Sequence, residues 1–150
     1  MRIDSINKES YITIDYVDCE IKRYPSVCVS ITVNNEGFAG VNKDVWFELD
    51  LFKQFTDALH ELDCKRKGSA SIESMSQEEF FLSVETYDLS GHLMLKYKIS
   101  KHGYCPNVTR SLSGGFELDT SFFVKIVNDF IKLGDMNKYP PPKYPYIDNV

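Results

Sequence analysis

His92, His102 and Cys105 fall within 14 residues, and His102-x-x-Cys105 has the spacing of a metal-ligand pair. A catalytic zinc takes three nitrogen or sulfur ligands and keeps one position open. With these three side chains as ligands the chain would be a small metal-dependent hydrolase. Asp88 is the one nearby candidate for a fourth ligand if the site were structural. His92 opens a strand whereas the other two sit in a later turn, so solvent-exposed loop histidines are the simpler expectation. His60 and Cys64 share a helix face at i, i+4 but lie opposite its apolar stripe, which reads as ordinary surface. Glu78-Glu79 precede a strand, where a solvated turn accounts for them.

Other chemistries lack their signatures. Ser111-Leu112-Ser113-Gly114-Gly115 is not a G-x-S-x-G nucleophile elbow. Lys67-Gly68-Ser69 lacks the earlier glycine of a phosphate loop and follows a helix end, and no G-x-G-x-x-G occurs. Cys19, Cys28, Cys64 and Cys105 are scattered without a C-x-x-C pair, as free thiols in a reducing compartment would be. No catalytic residue and no cofactor is assigned on these grounds.

Charge is more informative. The chain has 150 residues and a net charge of −5, which argues against direct grip on a nucleic-acid backbone. Residues 1–64 hold 6 Lys+Arg and 12 Asp+Glu, whereas residues 65–150 hold 11 and 10, so the acidity sits in the first part. Glu36, Asp44, Asp57, Glu61 and Asp63 are the candidates for a surface that steers a basic partner. Tyr11, Tyr24, Phe81 and Tyr87 fall on outward strand parity or loops, and the tyrosines would serve as contact anchors there. A solvated face and a covered sheet face are the alternative explanations for the same residues. No window approaches the 18 or so apolar residues of a membrane span, and the polar start MRIDSINKES does not read as an export leader, so the cytoplasm is expected.

The elements that must position these groups are legible from periodicity. Val27, Val29, Ile31 and Val33 alternate with polar or small residues, as do Phe80, Leu82 and Val84, and Leu93, Leu95, Tyr97 and Ile99. Asp88-Leu89-Ser90-Gly91 joins the last two runs as a hairpin turn. Residues 11–17, 41–47, 70–75 and 107–118 are further strand candidates, the last expected to bulge or bend at Gly114-Gly115. Phe52, Phe55, Leu59 and Leu62 mark one amphipathic helix, with Asp50 as its expected N-cap and Lys65-Arg66-Lys67-Gly68 as its end. Phe123, Ile126, Phe130 and Leu133 mark a second, ended by Gly134. The spacing predicts an α+β fold, one largely antiparallel twisted sheet of six to eight strands with two amphipathic helices packed on it. Residues 1–134 form a single domain in this reading, and residues 135–150 a Pro/Tyr-rich extended tail. Pro142 to Pro145 has P-x-x-P spacing, but tyrosines packing the tail along the body are the expectation. The string FELD occurs at Phe47–Asp50 and again at Phe116–Asp119, each at a strand-to-helix junction, which fits either an old duplication or shared local geometry.

Trp46, then Leu51, Phe55, Leu59 and Leu62 at helical spacing, Gly68-Ser69-Ala70-Ser71-Ile72, the Phe80–Ile99 hairpin and the closing strand–Asp119–helix unit form a pattern. It resembles the small immunity proteins that protect bacteria from their own wall-associated or contact-dependent growth-inhibition toxins. The similarity spans roughly residues 40–133. The resemblance implies a cytoplasmic, non-enzymatic protein that binds the C-terminal domain of one cognate toxin, commonly a basic nuclease (an RNase, tRNase or DNase), and blocks its active site. It carries over no catalytic residue and no contact residue.

Overall fold

The structure, a computed structural model, describes residues 1–105 and 107–139. Four strands come first: β1 (Arg2–Asp4), β2 (Ser10–Glu20), β3 (Ser26–Asn35) and β4 (Phe38–Glu48). Helix α1 (Leu49–Lys65) follows. Four more strands succeed it: β5 (Ser69–Glu73), β6 (Phe80–Thr86), β7 (Leu93–His102) and β8 (Thr109–Leu118). A 3-10 turn at Thr120–Phe122 then leads into α2 (Phe123–Leu133).

The α+β class and the two helices are as expected, but the strands form two antiparallel four-stranded sheets, β1-β2-β3-β4 and β5-β6-β7-β8. The expectation of one sheet is thereby corrected. The cause lies at the sheet margins. Beyond β5, the Met75 N–H donates to Trp46 O in β4 at 2.8 Å, and the two strands then part where α1 intervenes. The other margin behaves alike, the Ile6 N–H donating to Glu117 O in β8 at 2.9 Å. A strand whose hydrogen-bonding edge is met at a single point cannot extend the ladder.

The chain is thus four strands and a helix, twice, with FELD at the end of the fourth strand each time. The helix stripes recur at an offset of 71 residues and FELD at 69. The 3-10 turn, which has no counterpart before α1, lies in the interval where the difference arises. Both stripes are buried: Phe52, Phe55, Leu59 and Leu62, and Phe123, Ile126, Phe130 and Leu133. They meet directly, Phe55 edge-on to Phe130 with ring centroids 5.2 Å apart.

One core unites both sheets with the helices. Phe47 of β4 touches Phe52 and Phe80 at 6.0 Å each. At the β3–β4 end the sheets approach without a helix between them. There Asn42 Nδ2 donates to Ser100 O at 3.0 Å, and a Cβ on Gly40 would sit 3.4 Å from Ile99. Close approach explains Gly114 and Gly115 too. β8 pairs with β7 in unbroken register through Gly114 and Gly115, so the expected bulge there is absent. A Cβ on Gly114 would lie 2.5 Å from Asn35 Oδ1, and one on Gly115 2.5 Å from Leu95 O. Irregularities fall at Tyr16/Asp18 and Val29/Ile31 instead.

The helix ends also differ from expectation. Glu48, not Asp50, is the N-cap of α1 and makes no side-chain cap bond; Asp50 sits in the first turn, where its charge suits the helix dipole. At the C-terminus Arg66 takes the left-handed conformation (φ 52°) that glycine would occupy more cheaply. After α2, the chain makes a 3-10 turn at Met136–Lys138 where an extended tail was expected. Tyr139 then stacks on Tyr16, centroids 3.7 Å apart, and donates its hydroxyl to Leu133 O at 2.9 Å. The P-x-x-P segment lies outside the described residues.

Candidate functional site

The His/Cys cluster is taken apart by the fold. His92 immediately precedes β7 and His102 is its last residue, ten positions further on, so the strand holds them about 33 Å apart. His92 is exposed at the β6–β7 turn, where its Nδ1 bonds the Asp88 carboxylate and its ring stacks on Tyr87. That bond and the Asp88 charge raise the His92 pKa, and the same bond lowers that of Asp88. His102 Nδ1 lies 3.1 Å from Thr109 Oγ1, and Cys105 is an exposed free thiol. Among the described residues no group of three His, Cys, Asp or Glu side chains is placed to hold a metal ion. The three-ligand arrangement considered for His92, His102 and Cys105 is therefore not formed.

The acidic and aromatic candidates are exposed or half-exposed, but they do not form one surface. Glu36 sits at the β3–β4 turn and Tyr24 in the β2–β3 connection, with the length of β3 between them, about 30 Å. Asp44 is exposed on β4 and Tyr87 beside the β6–β7 turn. Tyr11 is half-buried beneath the Arg2 guanidinium, 3.9 Å from its ring centre. Asp63 is turned inward to Arg66 at 3.1 Å. Asp57 and Glu61 remain together on the exposed flank of α1. Glu61 pairs with Lys65, whose hydrogen bond and charge hold the Glu61 carboxyl below its ordinary range. Asp57 has no ion pair among the described residues.

Beside this flank runs a groove of about 460 Å³, lined by Leu51, Gln54, Phe55 and Ala58 of α1, by all five residues of β5, and by Phe81 of β6. The inward Ala70 and Ile72 line it together with the outward Ser69, Ser71 and Glu73, so it follows the edge of β5 and not either face. Leu51 is 45% and Phe81 38% exposed, an apolar pair at its mouth. Gln54 is the polar residue on its helix wall, and Glu73, on the strand side, is the one carboxylate in its lining; Asp57 and Glu61 lie on the exposed face of α1 outside it. The sequence pointed to Phe81, Asp57 and Glu61 but not to the groove. Its one legible trace was Leu51, an apolar residue beside the buried stripe.

A second groove, of about 280 Å³, occupies the equivalent place between α2 and β1. Its helix residues Phe122, Lys125 and Ile126 stand 71 positions after Leu51, Gln54 and Phe55. Its charges differ, for Arg2, Lys8 and Lys125 line it with Asp4 and Asp119. The two halves thus build a groove at equivalent places, with a single charged side chain, Glu73, lining the first and a mixed, more basic set lining the second.

No family model matches the chain, and no curated protein matches its sequence. No helix among the described residues is long and apolar enough to cross a membrane.

Proposed function

We propose that this chain is an immunity protein: it binds the C-terminal domain of a cognate bacterial toxin, a basic nuclease, and covers its active site in the cytoplasm. The observation that carries this reading is the groove between α1 and β5, where Leu51 and Phe81 lie exposed beside Glu73, with Asp57 and Glu61 on the exposed face of the same helix. Apolar contact area ringed by charge is the usual composition of a protein-binding surface. A carboxylate rim speeds encounter with a cationic partner and repels nucleic acid itself. The role needs no turnover and no cofactor.

The test is co-expression with the toxin domain encoded immediately upstream. Protection from toxicity is expected, with a complex that co-purifies and an association rate that falls as salt rises. Unprotected cells and separate elution of the two proteins would overturn the reading.

A further inference from the structure

We propose that the α1–β5 groove receives an extended, lysine- or arginine-bearing segment of the partner as an added strand on the free edge of β5. The partner's identity rests on the immunity reading; the groove's chemistry does not.

Backbone pairing gives the edge its direction. The Thr86 N–H donates to Gly68 O at 3.1 Å, and the Ser74 N–H donates to Phe80 O at 2.9 Å. In an antiparallel ladder these bonds alternate, so Ala70 and Ile72 also face β6, whereas Ser69, Ser71 and Glu73 aim their N–H and C=O groups away from it. Met75 has the same outward parity, and its N–H already bonds Trp46 O. The edge is therefore oriented for strand pairing and is occupied at one end. Along the remaining five residues no strand among the described residues pairs with it. Such a row of backbone donors and acceptors is a template for an incoming strand.

Charge chooses the occupant. Glu73, the one carboxylate in the lining, carries no ion pair among the described residues, and no cation lines the groove. A second copy of this chain would bring its own Glu73 and a second α1 against the first, which disfavours self-pairing. A strand alternating apolar and cationic side chains would place the former against Leu51, Ala58 and Phe81 and the latter near Glu73. The repeat supplies an internal control, because the α2–β1 groove has the same build with Lys125 in place of Gln54.

The probe is a capped heptapeptide, Val-Lys-Val-Lys-Val-Lys-Val, titrated into the ¹⁵N-labelled full chain, with its glutamate counterpart as control. Saturable shifts and exchange protection are expected at the Ser69, Ser71 and Glu73 amides, with at least tenfold weaker binding of the glutamate peptide. Ser71→Pro removes an outward N–H that β6 does not use and should abolish binding. Glu73→Lys, which leaves the backbone intact, should weaken it at least fivefold at unchanged melting temperature. Shifts centred on the α2–β1 groove, no saturable shift at millimolar peptide, or dimerisation of the free chain through the same amides would each overturn the strand site. Toxin protection that survives all these substitutions would remove the strand site and keep the immunity reading. Peptide binding without any protection would do the reverse.

Discussion

Tyr97 and Asn35 join the two sheets: the phenol of β7 donates to Asn35 Oδ1 at 2.9 Å. Gly114 lies beneath the pair, and a Cβ there would fall 2.5 Å from Asn35 Oδ1 and 2.9 Å from the Tyr97 hydroxyl. Gly114→Ala must therefore displace the contact or the strand, and should destabilise by about 1–3 kcal/mol. Tyr97→Phe removes only the hydrogen bond and should cost about 1 kcal/mol. In the Tyr97→Phe background the alanine penalty should shrink, because one of its two clashes is gone. Urea denaturation of the double-mutant cycle reads this coupling directly.

The buried and exposed sides of α1 should separate cleanly under mutation. Phe55→Ala and Leu59→Ala open cavities at positions that are 1% and 0% exposed, and each should destabilise by about 2–5 kcal/mol. Asp57→Lys, on the exposed face of the same helix, should stay within about 0.5 kcal/mol of the parent. Equal melting temperatures across this set would mean that the helix does not bury this face.

The strands were readable because one face of each is buried, which writes a period of two into Val27–Val33, Phe80–Val84 and Leu93–Ile99. Their division into two sheets was not, because alternation records which face is buried and not which edge is paired. β1 escaped notice since three residues are too few to display a period. Gly114-Gly115 suggested a bulge, yet the reason for these glycines lies in Asn35 and Leu95, far away in sequence. The groove was hidden for the same cause. Leu51, Ser71 and Phe81 become neighbours only when α1 folds back along β5. FELD marks the strand-to-helix junction in both halves, but four residues could not reveal that each half carries four strands and a helix.

Arg66 holds a left-handed conformation at the end of α1 for the sake of its side chain. The guanidinium bonds the Asp63 carboxylate at 3.1 Å and Thr120 O at 3.4 Å, so it ties the helix end to the turn before α2. Arg66→Ala should lose these contacts and keep the backbone strain. Arg66→Gly loses the same contacts but relieves the strain, so it should be about 1 kcal/mol more stable than the alanine variant. Thermal unfolding of the two variants tests this ordering. Alanine at least as stable as glycine would show that the conformation carries no penalty.

His92 and Asp88 give the β6–β7 turn a defined pH dependence. The hydrogen bond from His92, aided by its charge, lowers the Asp88 pKa, so the aspartate's contribution is present above its unfolded value of about 3.9 and disappears as pH falls through the lower folded value. The bond to Asp88 raises the His92 pKa, so the histidine's contribution is complete below its unfolded value of about 6.5 and disappears as pH rises through the higher folded value. The pair is therefore at full strength between about pH 4 and 6.5, and weakens on either side. Both groups are exposed to solvent, so the consequence is local ordering of Asp88–Gly91 and not a shift in global unfolding. An NMR titration should find His92 protonated to higher pH than an ordinary histidine, and Asp88→Asn should return it towards the ordinary value. Amide exchange at Ser90 needs a different control, because its N–H also bonds Asp88 Oδ1 at 2.9 Å. His92→Gln keeps that bond while removing the charge, so its Ser90 exchange should follow only the base-catalysed slope through neutral pH, whereas the parent should exchange faster than that slope once His92 loses its proton.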